Sequence, residues 1–140
     1  MQTFLPYPNF DQSAQCLDYQ RLGKQRVECR QILNSLAGGK GWAKHPATCM
    51  WRGYEKALTA FMNACIREWM RRGYKNTMPL IEVGDYVLPP WFGDAQFHAS
   101  HQAALLYKNY AWYRQFGWSE QPVLAYIWPA PVLASSLPRD

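Results

Sequence analysis

Apolar and polar positions along this chain recur in the rhythm of a helix rather than a strand. Tyr54, Leu58, Phe61, Met62, Cys65, Ile66 and Trp69 repeat at steps of three and four, the spacing of one helical stripe. Arg67, Arg71 and Arg72 fall near the end of that helix, where cations suit the dipole, and Gly73 stops it. A second stripe, Leu22, Cys29, Ile32, Leu33 and Leu36, predicts a helix that starts or continues at Asp18 and runs to about Leu36, with Gly38-Gly39 ending it. Gly23 lies inside this helix at a cost of about 1 kcal/mol relative to Ala, which marks the close approach of another backbone or a ligand. A third helix, capped by Asp94 and running to about Tyr107, turns Phe97, His101, Ala104 and Leu105 inward.

The connections read as irregular. Residues 1–10 form an extended arm, because Pro6 and Pro8 exclude helix, and Phe4, Leu5, Tyr7 and Phe10 can pack it onto the body. Asp11 is the expected N-cap of a short turn over 12–17. Residues 42–52 form a loop with a helical turn led by His45-Pro46. Residues 74–93 carry Pro79, Gly84-Asp85, Pro89-Pro90 and Gly93, so any strand there is short. The last third is rich in rings and prolines, and 119–140 reads as an extended aromatic segment wrapping the body. The fold class expected is mainly α: residues 1–140 as a single compact domain of three main helices with long irregular connections.

Composition adds to this picture. Hydrophobic residues make up 49% and charged residues 18%, enough apolar surface to fold a full core. Seven Trp, nine Tyr and six Phe exceed what one small core needs, so a stacking surface is expected. The formal net charge is +5, which permits a polyanionic partner. The cations are not in a tail but spread over 21–30, 40–52 and 67–75, as on a folded basic face. Cys16, Cys29, Cys49 and Cys65 lack CxxC spacing and read as reduced thiols of a cytoplasmic protein. No secretory signal and no membrane span are expected, and the location expected is cytoplasmic, nucleoid-associated if the source is bacterial.

Several constellations can carry chemistry. Arg21, Lys24 and Glu28 sit at helical spacing on one flank, a carboxylate between cations beside a groove, or else a solvated set of ion pairs. His45 lies among Lys44, Arg52, Trp42 and Trp51, a mixture suited to phosphate contact and base stacking or to loop packing. Tyr113, Phe116 and Trp118 offer the same choice. His98 and His101 have HxxH spacing, but no further ligand accompanies them, so a core or surface role is expected and no metal. No GxSxG elbow and no phosphate-binding glycine loop is present. The α-amine of Met1 is a candidate nucleophile, since α-amines ordinarily titrate near about 7.7–8.0 against about 10.4 for lysine. Gln2 is a long side chain, so Met1 is expected to be retained.

Taken in order, these motifs resemble the pyrimidine-dimer DNA glycosylase superfamily of the phage endonuclease V type and its bacterial relatives. Residues 19–32 are similar to that family's first helix with its Arg-Glu pair, and Gly41-Trp42-Ala43-Lys44-His45-Pro46 to a Gly-aromatic-x-x-His-Pro loop. Arg71-Arg72-Gly73-Tyr74 resembles the end of its second helix, and residues 97–104 with Trp112-Tyr113-Arg114-Gln115-Phe116-Gly117 resemble its third helix and aromatic motif. The resemblance implies an N-terminal amine, here Met1, that displaces the base and forms an imine with the opened sugar. It implies a first-helix glutamate, here Glu28, that stabilises the sugar cation and moves protons in β-elimination. The chain departs from the family in having Arg26-Val27-Glu28, where a residue separates arginine from glutamate.

The expected function is therefore a DNA glycosylase with AP-lyase activity, excising a damaged or modified pyrimidine from double-stranded DNA without metal or cofactor and without an obligate protein partner. Met1 and Glu28 are the expected catalytic pair. Arg21, Lys24, Arg26, Lys44, His45 and Arg52 are expected to contact phosphates or hold an opened duplex. Trp51, Tyr113 or Trp118 is expected to wedge or stack on bases, because base chemistry requires extrusion from the stack. Two alternatives stand beside this reading: a non-catalytic nucleic-acid-binding module on the same surface, and a small-molecule enzyme using Glu28 and His45 as acid and base.

Overall fold

The structure, a computed structural model, describes residues 1–39 and 41–129. The helices are α1 (Phe10–Cys16), α2 (Tyr19–Gly38), α3 (Pro46–Cys49), α4 (Glu55–Arg71), α5 (Ala95–Lys108) and α6 (Tyr110–Tyr113), followed by a 3₁₀ turn at Arg114–Phe116. The fold is mainly α, with no strand among the described residues. The three long helices are the three that the apolar spacing predicts. Lys40 of the basic loop and residues 130–140 of the C-terminal segment lie outside the described residues.

Helix α4 is central because its apolar stripe is the widest. Leu58, Phe61, Met62, Cys65 and Ile66 are completely buried, and α1 and α2 both pack on it. Each of the Leu, Phe, Met and Ile side chains contributes about 1.5–3 kcal/mol on burial. Helix α2 supplies Leu22, Cys29 and Ile32 to the same core, with Leu33 and Leu36 at its half-buried edge. The tight approach expected at Gly23 is made by an indole: a Cβ built there would lie 3.0 Å from Cη2 of Trp69.

The helix ends follow local chemistry, with one correction. Asn9, not Asp11, caps α1, accepting the Gln12 amide at 2.8 Å, while Asp11 sits in the first turn and pairs with Arg67 at 3.3 Å. Asp18 precedes α2 as expected, but its carboxylate accepts from the Tyr113 hydroxyl and from Arg21 instead of capping the helix. Asp94 caps α5 by accepting from Phe97 at 3.0 Å. Gly39 (φ +68°) and Gly73 (φ +90°) end α2 and α4 in the left-handed region that favours glycine.

The N-terminal arm is buried rather than draped. Gln2, Thr3, Phe4, Leu5 and Pro6 are all covered. The arm is bonded on one side to Gln25 and Glu28 of α2 and on the other to His98, His101 and Gln102 of α5. Beyond α6 the chain turns back along α5, where Val123 donates to the Ala103 carbonyl and Ile127 to the Ser100 hydroxyl.

Candidate active site

Arg21, Lys24 and Glu28 project from one face of α2, as spacings of three and four require. The start of the arm runs past that face. Together they line a cavity of about 220 Å³ with Met1, Gln2 and Lys108. The Gln2 amide donates to Glu28 Oε1 at 3.4 Å, which ties the carboxylate to the residue next to Met1. Gln25 is completely covered and accepts from the Phe4 amide at 2.8 Å while donating to the Gln2 carbonyl at 2.9 Å. Three cationic side chains and one carboxylate on a single cavity leave it net positive, the balance that suits a phosphate backbone.

The charge pairing inside the cluster differs from the expectation. Arg21 pairs with Asp18 at 3.2 Å, and among the described residues Glu28 is in no ion pair. Glu28 is therefore oriented by the arm's backbone, not clamped between two cations.

His45 caps α3, its Nδ1 accepting the Ala47 amide at 3.0 Å, so the neutral ring carries its proton on Nε2. The ring meets Trp42 and Trp128 edge-on at 5.7 and 6.1 Å. Burial lowers its pKa first, and the charge of the Met1 amine lowers it further, so His45 stands within electrostatic reach of that amine. Lys44 and Arg52 are exposed on the same loop, Arg52 donating to the Ala43 carbonyl at 3.2 Å.

Arg26 turns to the other side of α2. Its guanidinium lies 4.3 Å from the centre of the Trp69 ring and donates to Asn76 at 2.9 Å, so it is committed to internal partners instead of a phosphate.

Two of the expected base-stacking rings are corrected. Trp51 is 0% exposed, with its indole N–H on the Thr3 hydroxyl and its ring 5.0 Å from that of Trp91. Tyr113 is also 0% exposed, its hydroxyl bonded to Asp18. Trp118 is half-buried, stacked on Tyr113 and Phe116 and donating to the Tyr7 hydroxyl at 2.9 Å. These rings hold the arm and α6 to the body. A ring that faces solvent near His45 is Trp42, 49% exposed.

One cavity residue, Lys108, and one ring packed behind the cavity, Tyr126, escaped the sequence reading. Lys108 ends α5 and reaches the cavity only because α5 runs alongside the arm. Tyr126, in the returning segment, packs edge-on against Phe4 at 6.2 Å. Burial raises its phenol to about 12, and it feels the charges of Arg21 and Glu28. Neither carries a local signal, since Lys108 reaches the cavity, and Tyr126 reaches Phe4 behind it, by tertiary packing. Among the described residues no group of three or more His, Cys, Asp or Glu is arranged to hold a metal ion.

The sequence profile described as pyrimidine dimer DNA glycosylase matches residues 1–82, more than half of the chain. The chain belongs to this family. Membership places it with DNA repair glycosylases and makes DNA its substrate. The matched part holds the arm, α1 to α4, Met1, Glu28 and His45; α5, Lys108 and Tyr126 lie beyond it. Comparison with curated proteins and with solved structures gave no match.

Proposed function

We propose that this family member excises a damaged or modified pyrimidine from double-stranded DNA and then cleaves the strand as an AP lyase, with the Met1 α-amine as nucleophile. The observation that carries this reading is the shared cavity of Met1, Glu28, Arg21, Lys24 and Lys108, with Glu28 bonded to the Gln2 amide. The amine attacks C1′ of the lesion nucleotide, and the glycosidic bond breaks with its electron pair leaving on the base, which takes up a proton. Loss of the amine's remaining proton and opening of the C1′–O4′ bond give an imine between Met1 and C1′, with a proton on O4′. Glu28 offsets the positive charge that develops on the sugar and then removes a C2′ proton. The electrons flow toward the imine and expel the 3′ phosphate. Water hydrolyses the imine and restores the amine.

Arg21, Lys24 and Lys108 receive phosphates at the cavity mouth, with Lys44 and Arg52 extending that contact along the loop. His45 donates from Nε2–H to the same strand. Trp42 takes the stacking role that buried Trp51 cannot.

The test is incubation of the full chain with duplexes that carry an abasic site, ultraviolet photoproducts or oxidised and alkylated pyrimidines. Strand cleavage at the abasic site together with release of a modified pyrimidine supports the reading. DNA binding without cleavage or base release on any of these duplexes overturns it in favour of a binding module.

A further inference from the structure

The arm is an extended chain without a strand beside it, yet every backbone N–H from Gln2 to Leu5 donates to a side chain. Side chains stand in for the missing strand. Gln25 takes the Phe4 amide and the Gln2 carbonyl, Gln102 donates to the Pro6 carbonyl at 2.8 Å, and Ser13 exchanges two bonds with Tyr7 at 3.1 Å. The centre of this lacing is Leu5. Its amide donates to His101 Nδ1 at 2.9 Å, and its carbonyl lies 2.7 Å from His98 Nδ1.

The two imidazoles hold opposite tautomers. The Gly93 amide donates to His98 Nε2 at 2.9 Å, so the His98 proton is on Nδ1, from which it donates to the Leu5 carbonyl. His101 accepts on Nδ1, so its proton is on Nε2. One donor and one acceptor, three residues apart on α5, thus pair with a single backbone unit as a neighbouring strand would. Both rings are buried.

We propose that His98 and His101 are positioning residues for the Met1 amine, fixing Leu5 so that the arm presents its N-terminus to the cavity beside Glu28. The inference rests on the imine reading above. It assigns to the HxxH pair a function that neither metal binding nor simple packing requires: a hydrophobic ring would fill the space, but satisfying both Leu5 groups takes a donor and an acceptor placed as these two tautomers place them. Leu5 is four residue steps from Met1, a span of about 13 Å in extended chain. Slack at Leu5 is passed toward the amine through Phe4 and Gln2, which Gln25 and Glu28 hold only in part, and a misplacement of about 1 Å costs on the order of 10²-fold in rate.

The experiment compares His101→Leu with His101→Asn, whose Oδ1 can occupy the Nδ1 position and accept from Leu5. Each folded variant is scored for DNA affinity, for the single-turnover rate of borohydride trapping on saturating abasic duplex, and for hydrogen exchange of the arm peptide. The expected result for His101→Leu is faster arm exchange and trapping slowed about 10–100-fold at unchanged affinity, with His101→Asn restoring most of both. Gln102→Leu, at a half-buried position, loosens the same arm at Pro6 and is expected to slow trapping several-fold, which keeps the test alive if His101→Leu does not fold. Trapping of the folded variants at the wild-type rate overturns the proposal and leaves the imine reading standing. A wild-type protein that forms no adduct overturns the imine reading and this inference with it.

Discussion

The Gln2 amide donates to Glu28 Oε1 at 3.4 Å, so one bond sets the distance between the carboxylate of α2 and the start of the arm. Gln2 itself is held from the other side, because its carbonyl accepts from the buried Gln25 amide group at 2.9 Å. The two residues of the proposed chemistry thus come from separate elements but share one rigid support. Lys24 and Arg21 supply positive charge on the same cavity, and Arg21 is steadied by Asp18.

Replacing Glu28 by Gln keeps the hydrogen bond from Gln2 and removes the base. Turnover on abasic duplex is expected to fall by about 10²-fold or more, the scale of a lost acid–base group. DNA affinity is expected to hold. Single-turnover cleavage and a binding titration on the same duplex check both halves. Equal losses of rate and affinity would reduce Glu28 to a contact residue.

DNA affinity is expected to be electrostatic and largely indifferent to sequence. It should fall steeply between about 50 and 200 mM salt. Lys24→Gln should reduce the slope of log affinity against log salt by about one, as the loss of one phosphate contact does. Fluorescence anisotropy at four or five salt concentrations measures this, and a salt-independent affinity would contradict it.

The correction at Trp51 separates two tryptophans of one loop. Trp51→Ala removes a fully buried ring and its bond to Thr3 and is expected to cost about 3–5 kcal/mol of stability. Trp42→Ala touches a half-exposed ring and is expected to leave stability within about 0.5 kcal/mol. Its DNA affinity should fall by about tenfold, since stacking on an aromatic side chain is worth about 1–3 kcal/mol per base. Denaturant unfolding and binding titrations on the two variants should show opposite patterns.

Acid is expected to destabilise the protein through the arm. Burial pushes His101 down to about 3 and lowers His98 as well, against about 6.5 for an unfolded histidine. The unfolded chain therefore binds more protons than the native one between about pH 6.5 and 3. The contribution is fully present above about pH 6.5 and is lost as pH falls toward about 3. Within that window His101 alone adds a slope of up to about 1.4 kcal/mol per pH unit. Chemical denaturation from pH 7.5 to 4 checks the sign, and His101→Asn should flatten the curve.

The long helices were legible because their evidence is local. The α4 stripe, the Asp94 cap and the glycines at 39 and 73 each depend on residues a few positions away. The Arg21, Lys24 and Glu28 face was legible for the same reason. The arm's insertion between α2 and α5 was not, since His101 and Leu5 are 96 positions apart and no local pattern announces their bond. Ring direction was equally hidden: Trp51 and Trp42 sit among the same cations in sequence, yet one points inward and the other out. Arg26 belonged to the basic ridge on paper, and only the tertiary position of Trp69, which also crowds Gly23, turns its guanidinium inward.

The central claim is that the Met1 amine and not a lysine makes the bond to the sugar. It is tested most directly by reducing the complex of the full chain with abasic duplex using borohydride, digesting it, and locating the adduct by mass spectrometry. The account predicts one adduct, on the peptide that begins at Met1, and its disappearance after selective acetylation of the α-amine. An adduct on Lys24 or Lys108, or one that survives that acetylation, would contradict it.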